Sequence, residues 1–143
     1  CIRDSFPTVV TWSGKAELQI AQKVVAKSGG YALLAPDTSL TELAALLRGA
    51  RMMIGSDTGP LHLAAALGTP CLGLHGPTRA DRSGHYGDHH YTVQSRLSRP
   101  KHRRWRQDNS AMRAILTEDV LEVCDKLLVQ IHLRDEKTSS DAA

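Results

Sequence analysis

Short apolar runs alternate with stretches of helical period along most of this chain, and that alternation limits its possible folds more than any other feature. Pro7-Thr8-Val9-Val10-Thr11-Trp12 is a β-branched run closed by Ser13-Gly14, which reads as a strand. Over residues 16–27, Leu18, Ala21, Val24 and Val25 fall at helical spacing, and Ser28-Gly29-Gly30 ends that helix. Residues 31–35 form a second strand, stopped by Pro36-Asp37. Thr38 or Ser39 caps the next helix, and Glu42 stands at capping-box distance from Ser39. Its apolar face is Leu40, Leu43, Ala44, Leu46 and Leu47. Residues 52–55 make a third strand, residues 61–67 a helix and residues 71–75 a fourth strand closed by Gly76-Pro77-Thr78. Residues 79–110 form a basic loop with no pattern apart from Tyr91-Thr92-Val93. A last helix is expected over residues 117–133, and residues 135–143 read as a disordered tail. This order predicts one α/β domain over residues 1–134, a doubly wound parallel sheet covered on both faces. Ligands of such sheets bind beyond the carboxyl ends of the strands, which points to residues 13–16, 36–38, 56–60 and 75–79.

Composition adds the class. Of the 143 residues, 41% are apolar by the AVILMFWYC count, which excludes a wholly disordered chain. No stretch approaches the run of about 18 apolar residues that a membrane span needs, and no leader pattern opens the sequence. A chain that begins Cys1-Ile2-Arg3 is expected to be a piece of a longer one. Cys1, Cys71 and Cys124 lie far apart without a CxxC, which argues against a disulfide scaffold or zinc site and for a reducing cytosol. Charge is uneven. Residues 79–106 hold Arg79, Arg82, Arg96, Arg99, Lys101, Arg103, Arg104 and Arg106 against Asp81 and Asp88, a local +6 in a chain of net +3. Histidines 85, 89, 90 and 102 fall there too. The cluster is either a solvated loop or a contact for an anionic partner.

The segment from Gly55 through Ser56-Asp57-Thr58-Gly59-Pro60-Leu61-His62 to Ala66 sets a strand end, a small turn and a helix start in succession. The first N–H groups of a helix lack internal partners and its dipole makes that end positive, so such a turn suits a pyrophosphate. Gly59 lets an anion approach, Thr58 adds a hydroxyl, and His62 in the first turn can donate to a phosphate oxygen. Pro60 costs little early in a helix. Asp57 is placed to cap the helix by accepting from an N–H two or three residues on. A plain capping turn with a surface histidine accounts for the same residues, so local physics leaves both readings open. The Gly-Lys-Ser/Thr end of a P-loop and the Rossmann GxGxxG are both absent.

With its flanks the pattern becomes specific. Ala50-Arg51-Met52-Met53-Ile54-Gly55-Ser56-Asp57-Thr58-Gly59-Pro60-Leu61-His62, continuing to Gly68-Thr69-Pro70, resembles the donor-binding segment of the lipopolysaccharide heptosyltransferases. So do Leu74-His75-Gly76-Pro77-Thr78 and Tyr86-Gly87 after it, and Val10-Thr11-Trp12 through Glu17 and Leu34-Ala35-Pro36-Asp37-Thr38-Ser39-Leu40 before it. The resemblance covers residues 5–94. It implies a GT-B glycosyltransferase of two Rossmann-like halves, of which this chain is the carboxyl-terminal, nucleotide-sugar half. The implied reaction is inverting transfer of L-glycero-D-manno-heptose from ADP-heptose to the lipopolysaccharide inner core. It needs no metal or other cofactor; the helix dipole, N–H groups and basic side chains stabilise the leaving ADP.

Carried over residue by residue, the resemblance puts the Thr58 and Gly59 N–H groups on the pyrophosphate, with Pro60 and His62 beside it and Asp57 fixing the turn. Trp12, Ser13 and Gly14 would border the adenine, Glu17 would bind the ribose hydroxyls, and Thr38 would lie near the base. A first-turn Glu with no ligand is the alternative for Glu17. No catalytic residue is expected in this chain. The base belongs to the amino-terminal half, so the chain alone is expected to be inactive. Where relatives carry a cysteine-rich stretch, this chain has Ser98-Arg99-Pro100-Lys101-His102-Arg103-Arg104-Trp105. The expected partners are the nucleotide-sugar donor, the lipopolysaccharide core through the other half, and the membrane surface through residues 79–106; no nucleic acid is expected. The expected location is the bacterial cytoplasm, peripheral at the inner membrane. Two alternatives are a GT-B enzyme using another nucleotide-sugar and a non-enzymatic nucleotide or RNA-binding module. The latter would have to stack bases on Tyr86, Tyr91 and Trp105.

Overall fold

The apolar runs become parallel strands and the periodic stretches become helices. The computed structural model describes residues 6–83, 90–97 and 109–140. Its elements are β1 (Thr8–Val10), α1 (Gly14–Lys27), β2 (Ala32–Leu34), α2 (Leu40–Gly49), β3 (Met53–Ser56) and α3 (Gly59–Ala66). They continue as β4 (Cys71–His75), α4 (Ala80–Ser83), β5 (His90–Gln94), α5 (Ser110–Arg113) and α6 (Thr117–Ser140). Every strand pairing is parallel, as expected of strands joined by helical crossovers. The chain divides into two compact units, Cys1–Glu42 and Leu43–Ala143.

In the first unit β1 pairs with β2, Thr8 opposite Ala32 and Val10 opposite Leu34. Helix α1 stops where the Ser28 hydroxyl and N–H both donate to the Val25 carbonyl, and Gly29 and Gly30 follow with φ of +67° and +91°. Only glycine takes that backbone without strain. The start of α2 carries the capping box. Ser39 N–H donates to Glu42 Oε2 at 2.8 Å, and Glu42 N–H donates to Ser39 Oγ at 3.3 Å. The cap is therefore Ser39 and not Thr38. The hydrogen bonds from the Ser39 side chain and backbone hold the Glu42 carboxyl below its ordinary value. Ala21, Ala32 and Ala35 are buried, while Leu33 in β2 is 63% exposed. Helix α1 packs on β1 and β2, and strand alternation sets Leu33 on the face opposite Ala32.

In the second unit the strand order is β3-β4-β5, with Ser56 opposite Leu74 and His75 opposite Gln94. Leu47, Leu61, Ala64 and Cys71 form the core, with Leu43, Met53, Leu63, Ala65 and Leu67 packed around them. Thr69 is buried, and its hydroxyl donates to the Leu47 carbonyl at 2.8 Å, tying the end of α2 to the entry of β4. Helix α6 packs on β4 and β5 and buries Cys124, Leu127 and Ile131.

Two expectations need correction. Residues 90–94 are a strand, not part of an unpatterned loop. Val93 is buried and Thr92 exposed, an alternation too short to stand out in a polar stretch, and the ladder to β4 makes it a strand. His90, counted among the loop histidines, opens that strand and accepts the Cys71 N–H on Nδ1 at 3.2 Å. Helix α6 runs on to Ser140, past the end at 133 that the apolar period indicated. Arg134, Glu136 and Lys137 are good helix formers without apolar period, and the Arg51–Asp135 ion pair and the His132–Glu136 pair one turn apart lie along this stretch. Residues 141–143 lie outside the described residues.

The core cysteine makes a testable pH dependence. Burial pushes the Cys71 thiol from its ordinary 9.0 up to about 11. The unfolded chain therefore releases that proton at lower pH than the folded one. The stability this group contributes is intact below pH 9.0 and is lost as pH rises toward about 11. Denaturant titrations across that window are expected to show falling stability in the wild type and a flatter profile in Cys71→Ala. Equal slopes in the two proteins would sink this assignment.

Candidate functional site

The carboxyl ends of the strands place the sequence-derived residues, and each unit carries its own set. In the second unit β3 ends at Ser56 and α3 begins at Gly59. The helix cap is Thr58, in extended backbone, and its side chain makes no capping hydrogen bond. The Thr58 hydroxyl donates instead to the Ser56 carbonyl at 3.2 Å. This corrects the expectation that Asp57 caps the helix. Asp57 stands one residue earlier, and its Oδ1 lies 2.8 Å from His62 Nε2 across the first turn. The Asp57 side chain is only 12% exposed, whereas that of His62 is 46% exposed. A nearly buried carboxylate thus holds a half-exposed imidazole at the mouth of the helix.

Backbone donors complete the turn. The N–H groups of Leu61 and His62 fold back onto the Thr58 carbonyl at 3.1 and 3.3 Å. Pro60 has no N–H and sits in the first helical turn. Thr58 and Gly59, both exposed, therefore carry the N–H groups left to face an anion here. A Cβ placed on Gly59 would meet nothing within 4 Å, so the protein's own packing does not demand glycine at this position.

In the first unit Trp12, Ser13, Gly14 and Glu17 follow β1, and Thr38 follows β2. The Trp12 indole N–H donates to the Ala35 carbonyl at 2.8 Å, and Ala35 N–H donates to the Val10 carbonyl at 3.0 Å. These bonds hold the two strand-end loops of this unit together. Gly14 has φ of +71°, a left-handed conformation that reserves the position for glycine. Glu17 accepts the Ser13 N–H on Oε2 at 2.8 Å, so it closes the start of α1 whether or not it also binds a ligand.

The basic cluster is only partly within the described residues. Arg79 is exposed, and its Nε donates to Asp81 Oδ1 at 2.9 Å; that hydrogen bond and charge raise the guanidinium above its ordinary value. Arg99, Lys101, Arg103, Arg104 and Arg106 lie outside the described residues, as do His85, His89, His102, Tyr86 and Trp105. Among the described residues no helix is long and apolar enough to cross a membrane, and no group of three or more His, Cys, Asp or Glu is placed to hold a metal ion. One contributor escaped the sequence reading altogether. Gln94, at the end of β5, fastens the loop after β4, and no local pattern marks it.

Comparison with known proteins gives consistent matches. The family model described as glycosyltransferase family 9 (heptosyltransferase) matches residues 2–112. Lipopolysaccharide heptosyltransferase 1 of Pseudomonas aeruginosa is 43% identical over 76 residues, which are 53% of this chain and 21% of that protein. Its counterpart from Salmonella typhimurium is 42% identical over 65 residues, 46% of this chain and 20% of that protein. Among solved structures, E. coli heptosyltransferase WaaC with ADP is similar at a TM-score of 0.73 and 23% identity, over 88% of this chain and 36% of that one. The glycosyl transferase family 9 structure from Veillonella parvula gives a TM-score of 0.75 at 23% identity, over 90% of this chain and 38% of that one. These structures share the α/β fold, and this chain covers little more than a third of either.

Proposed function

The chain belongs to glycosyltransferase family 9, the heptosyltransferase family, and from that premise we propose that it is the donor-binding half of an inverting heptosyltransferase that uses ADP-heptose. The observation that carries this reading is the Asp57–His62 turn at the carboxyl end of β3, inside the matched stretch, with exposed Thr58 and Gly59 at the helix mouth. In the second unit, Thr58 and Gly59 N–H groups receive the diphosphate, and His62, held by Asp57 through Nε2, stands beside them. In the first unit, Trp12 and the Ser13-Gly14 backbone take the adenine, Glu17 takes the ribose hydroxyls, and Thr38 lies near the base.

The chemistry assigns this chain one task. An acceptor hydroxyl oxygen of the lipopolysaccharide core attacks the anomeric carbon, and a base outside this chain takes its proton. The bond from that carbon to the ADP oxygen breaks with inversion. Negative charge builds on the leaving diphosphate, and the helix end with its N–H groups stabilises it without a metal or cofactor. The protein works in the bacterial cytoplasm, peripheral at the inner membrane, which residues 79–106 meet with their positive charge.

The test is an amide NMR titration of this chain with ADP, UDP and GDP in parallel. ADP is expected to shift Thr58, Gly59 and His62 together with residues 12–17, and to do so more strongly than UDP or GDP. Equal responses to the three nucleotides would remove ADP as the specific donor nucleotide. No response at Thr58 and Gly59 in a folded sample would reduce the turn to a helix cap.

A further inference from the structure

The loop after β4 is held by side-chain hydrogen bonds that the donor reading leaves unexplained. Gln94 Oε1 accepts the Ala80 N–H at 2.9 Å, and Gln94 Nε2 faces the carbonyls of His75, Gly76 and Thr78 at 2.8, 3.3 and 3.2 Å. The amide orientation follows from this network, since a flipped amide would set its oxygen against those three carbonyls. The His75 carbonyl also accepts the Ser95 N–H at 2.8 Å. Behind the loop lies Met112 of α5. A Cβ on Gly76 would come within 2.5 Å of Met112 Sδ and 3.0 Å of its backbone nitrogen, so only glycine allows this approach. Gln94 thus grips one flank of the loop and Met112 closes its back, while Pro77, Thr78 and Arg79 stay exposed.

Sheet register says what the loop stands beside. Ser56 is opposite Leu74 in neighbouring parallel strands, so the Asp57–Gly59 turn and the Gly76–Arg79 loop leave the sheet at the same end, about 5 Å apart at their roots. We propose that Gln94 is a positioning residue that holds residues 75–80 as a preformed second wall of the anion site, presenting Thr78 to the diphosphate end of the nucleotide. This rests on the donor-site reading. A wall ordered in advance spares the nucleotide the entropy of ordering it on binding. Gln94 and Thr78 are exposed, so water can reach the Thr78 carbonyl when the amide is removed, and the carbonyl of buried His75 keeps the Ser95 N–H; the loop therefore loosens without unfolding the sheet.

The experiment is an ADP titration of this chain as wild type, Gln94→Met and Gln94→Glu, read by amide NMR. Gln94→Met keeps an unbranched stem of similar length and removes every side-chain hydrogen bond from residue 94 to the loop. Gln94→Glu keeps the Ala80 bond, loses the donors and remains polar, so it serves if the Met variant does not fold. In the wild type the Thr78 amide is expected to move with ADP at the same midpoint as Thr58 and Gly59. In either variant ADP affinity is expected to fall about fivefold to tenfold, corresponding to about 1–1.4 kcal/mol. The Thr78 response should vanish, while Leu72 and Tyr91 in β4 and β5 keep their wild-type shifts. Unchanged affinity in the variants, or a Thr78 amide silent in an ADP-responsive wild type, overturns the proposal and leaves the donor site standing. Loss of affinity accompanied by altered Leu72 and Tyr91 shifts assigns Gln94 a merely structural role, which also overturns it. A wild type whose Thr58 and Gly59 do not respond overturns both the donor reading and this one.

Discussion

Leu61→Ala is expected to lower the stability of the second unit by about 3 kcal/mol, within the range of about 2–5 kcal/mol found for buried leucines. Leu61 has no exposed surface and packs with Leu47, Ala64 and Cys71. Removing its branched end both forfeits apolar burial and leaves a cavity, because the surrounding strands and helices relax only in part. The residue sits in the first turn of α3, next to His62, and a helix turns by roughly 100° per residue. Leu61 therefore anchors the turn from inside while His62 faces out. Leu40→Ala is the control. That leucine is 74% exposed, and its truncation is expected to change stability by less than about 0.5 kcal/mol. Urea unfolding of both variants measures the contrast. A Leu61→Ala loss below about 1 kcal/mol would mean that the core is not organised around this side chain.

Gly59→Ala separates the two readings of the Asp57–His62 turn. A Cβ there meets no protein atom within 4 Å, and the glycine has no positive φ. Alanine is the better helix former, so stability is expected to stay level or rise by up to about 1 kcal/mol. An anion seated on the Thr58 and Gly59 N–H groups would be obstructed by the same methyl group, and ADP affinity is expected to fall by about tenfold, roughly one charge-assisted hydrogen bond. His62→Gln complements it by removing the imidazole while keeping an N–H within reach of Asp57, and it too should weaken ADP at nearly constant stability. Calorimetry for affinity and thermal melts for stability provide both readouts. Gly59→Ala with normal ADP binding would show that the turn is a cap and nothing more.

Much of the candidate site's geometry was legible because its signals are local. A strand end, a small turn and a helix start lie within a dozen residues of Asp57, and helix-end electrostatics depend on nothing farther away. The roles inside the turn were less legible. Spacing alone makes Asp57 a plausible cap, but the backbone assigns that position to Thr58, and Asp57 finds His62 instead. Gln94 was invisible. Its partners at His75, Gly76, Thr78 and Ala80 precede it by 14 to 19 residues, and nothing in a glutamine at a strand end foretells them.

What the sequence determined by itself is the order of elements from β1 to β4, their parallel class, the Ser39–Glu42 capping box, the stop at Ser28–Gly30 and the family that the turn and its flanks resemble. The capping box and the helix stop follow from propensity, spacing and backbone sterics within a few neighbouring residues, the parallel class from the alternation of strands and helices, and the family from a resemblance spread over residues 5–94. Tertiary structure alone decided that residues 90–94 join the sheet, since a short polar strand is made by its ladder to β4 and not by its own composition. It also carried α6 on to Ser140, where Arg51 reaches Asp135 from far away in the chain. Finally it decided which leucines are buried: Leu61 and Leu33 are the same residue type, one sealed in a core and the other 63% exposed. That difference is set by what packs against each face, which no single segment encodes.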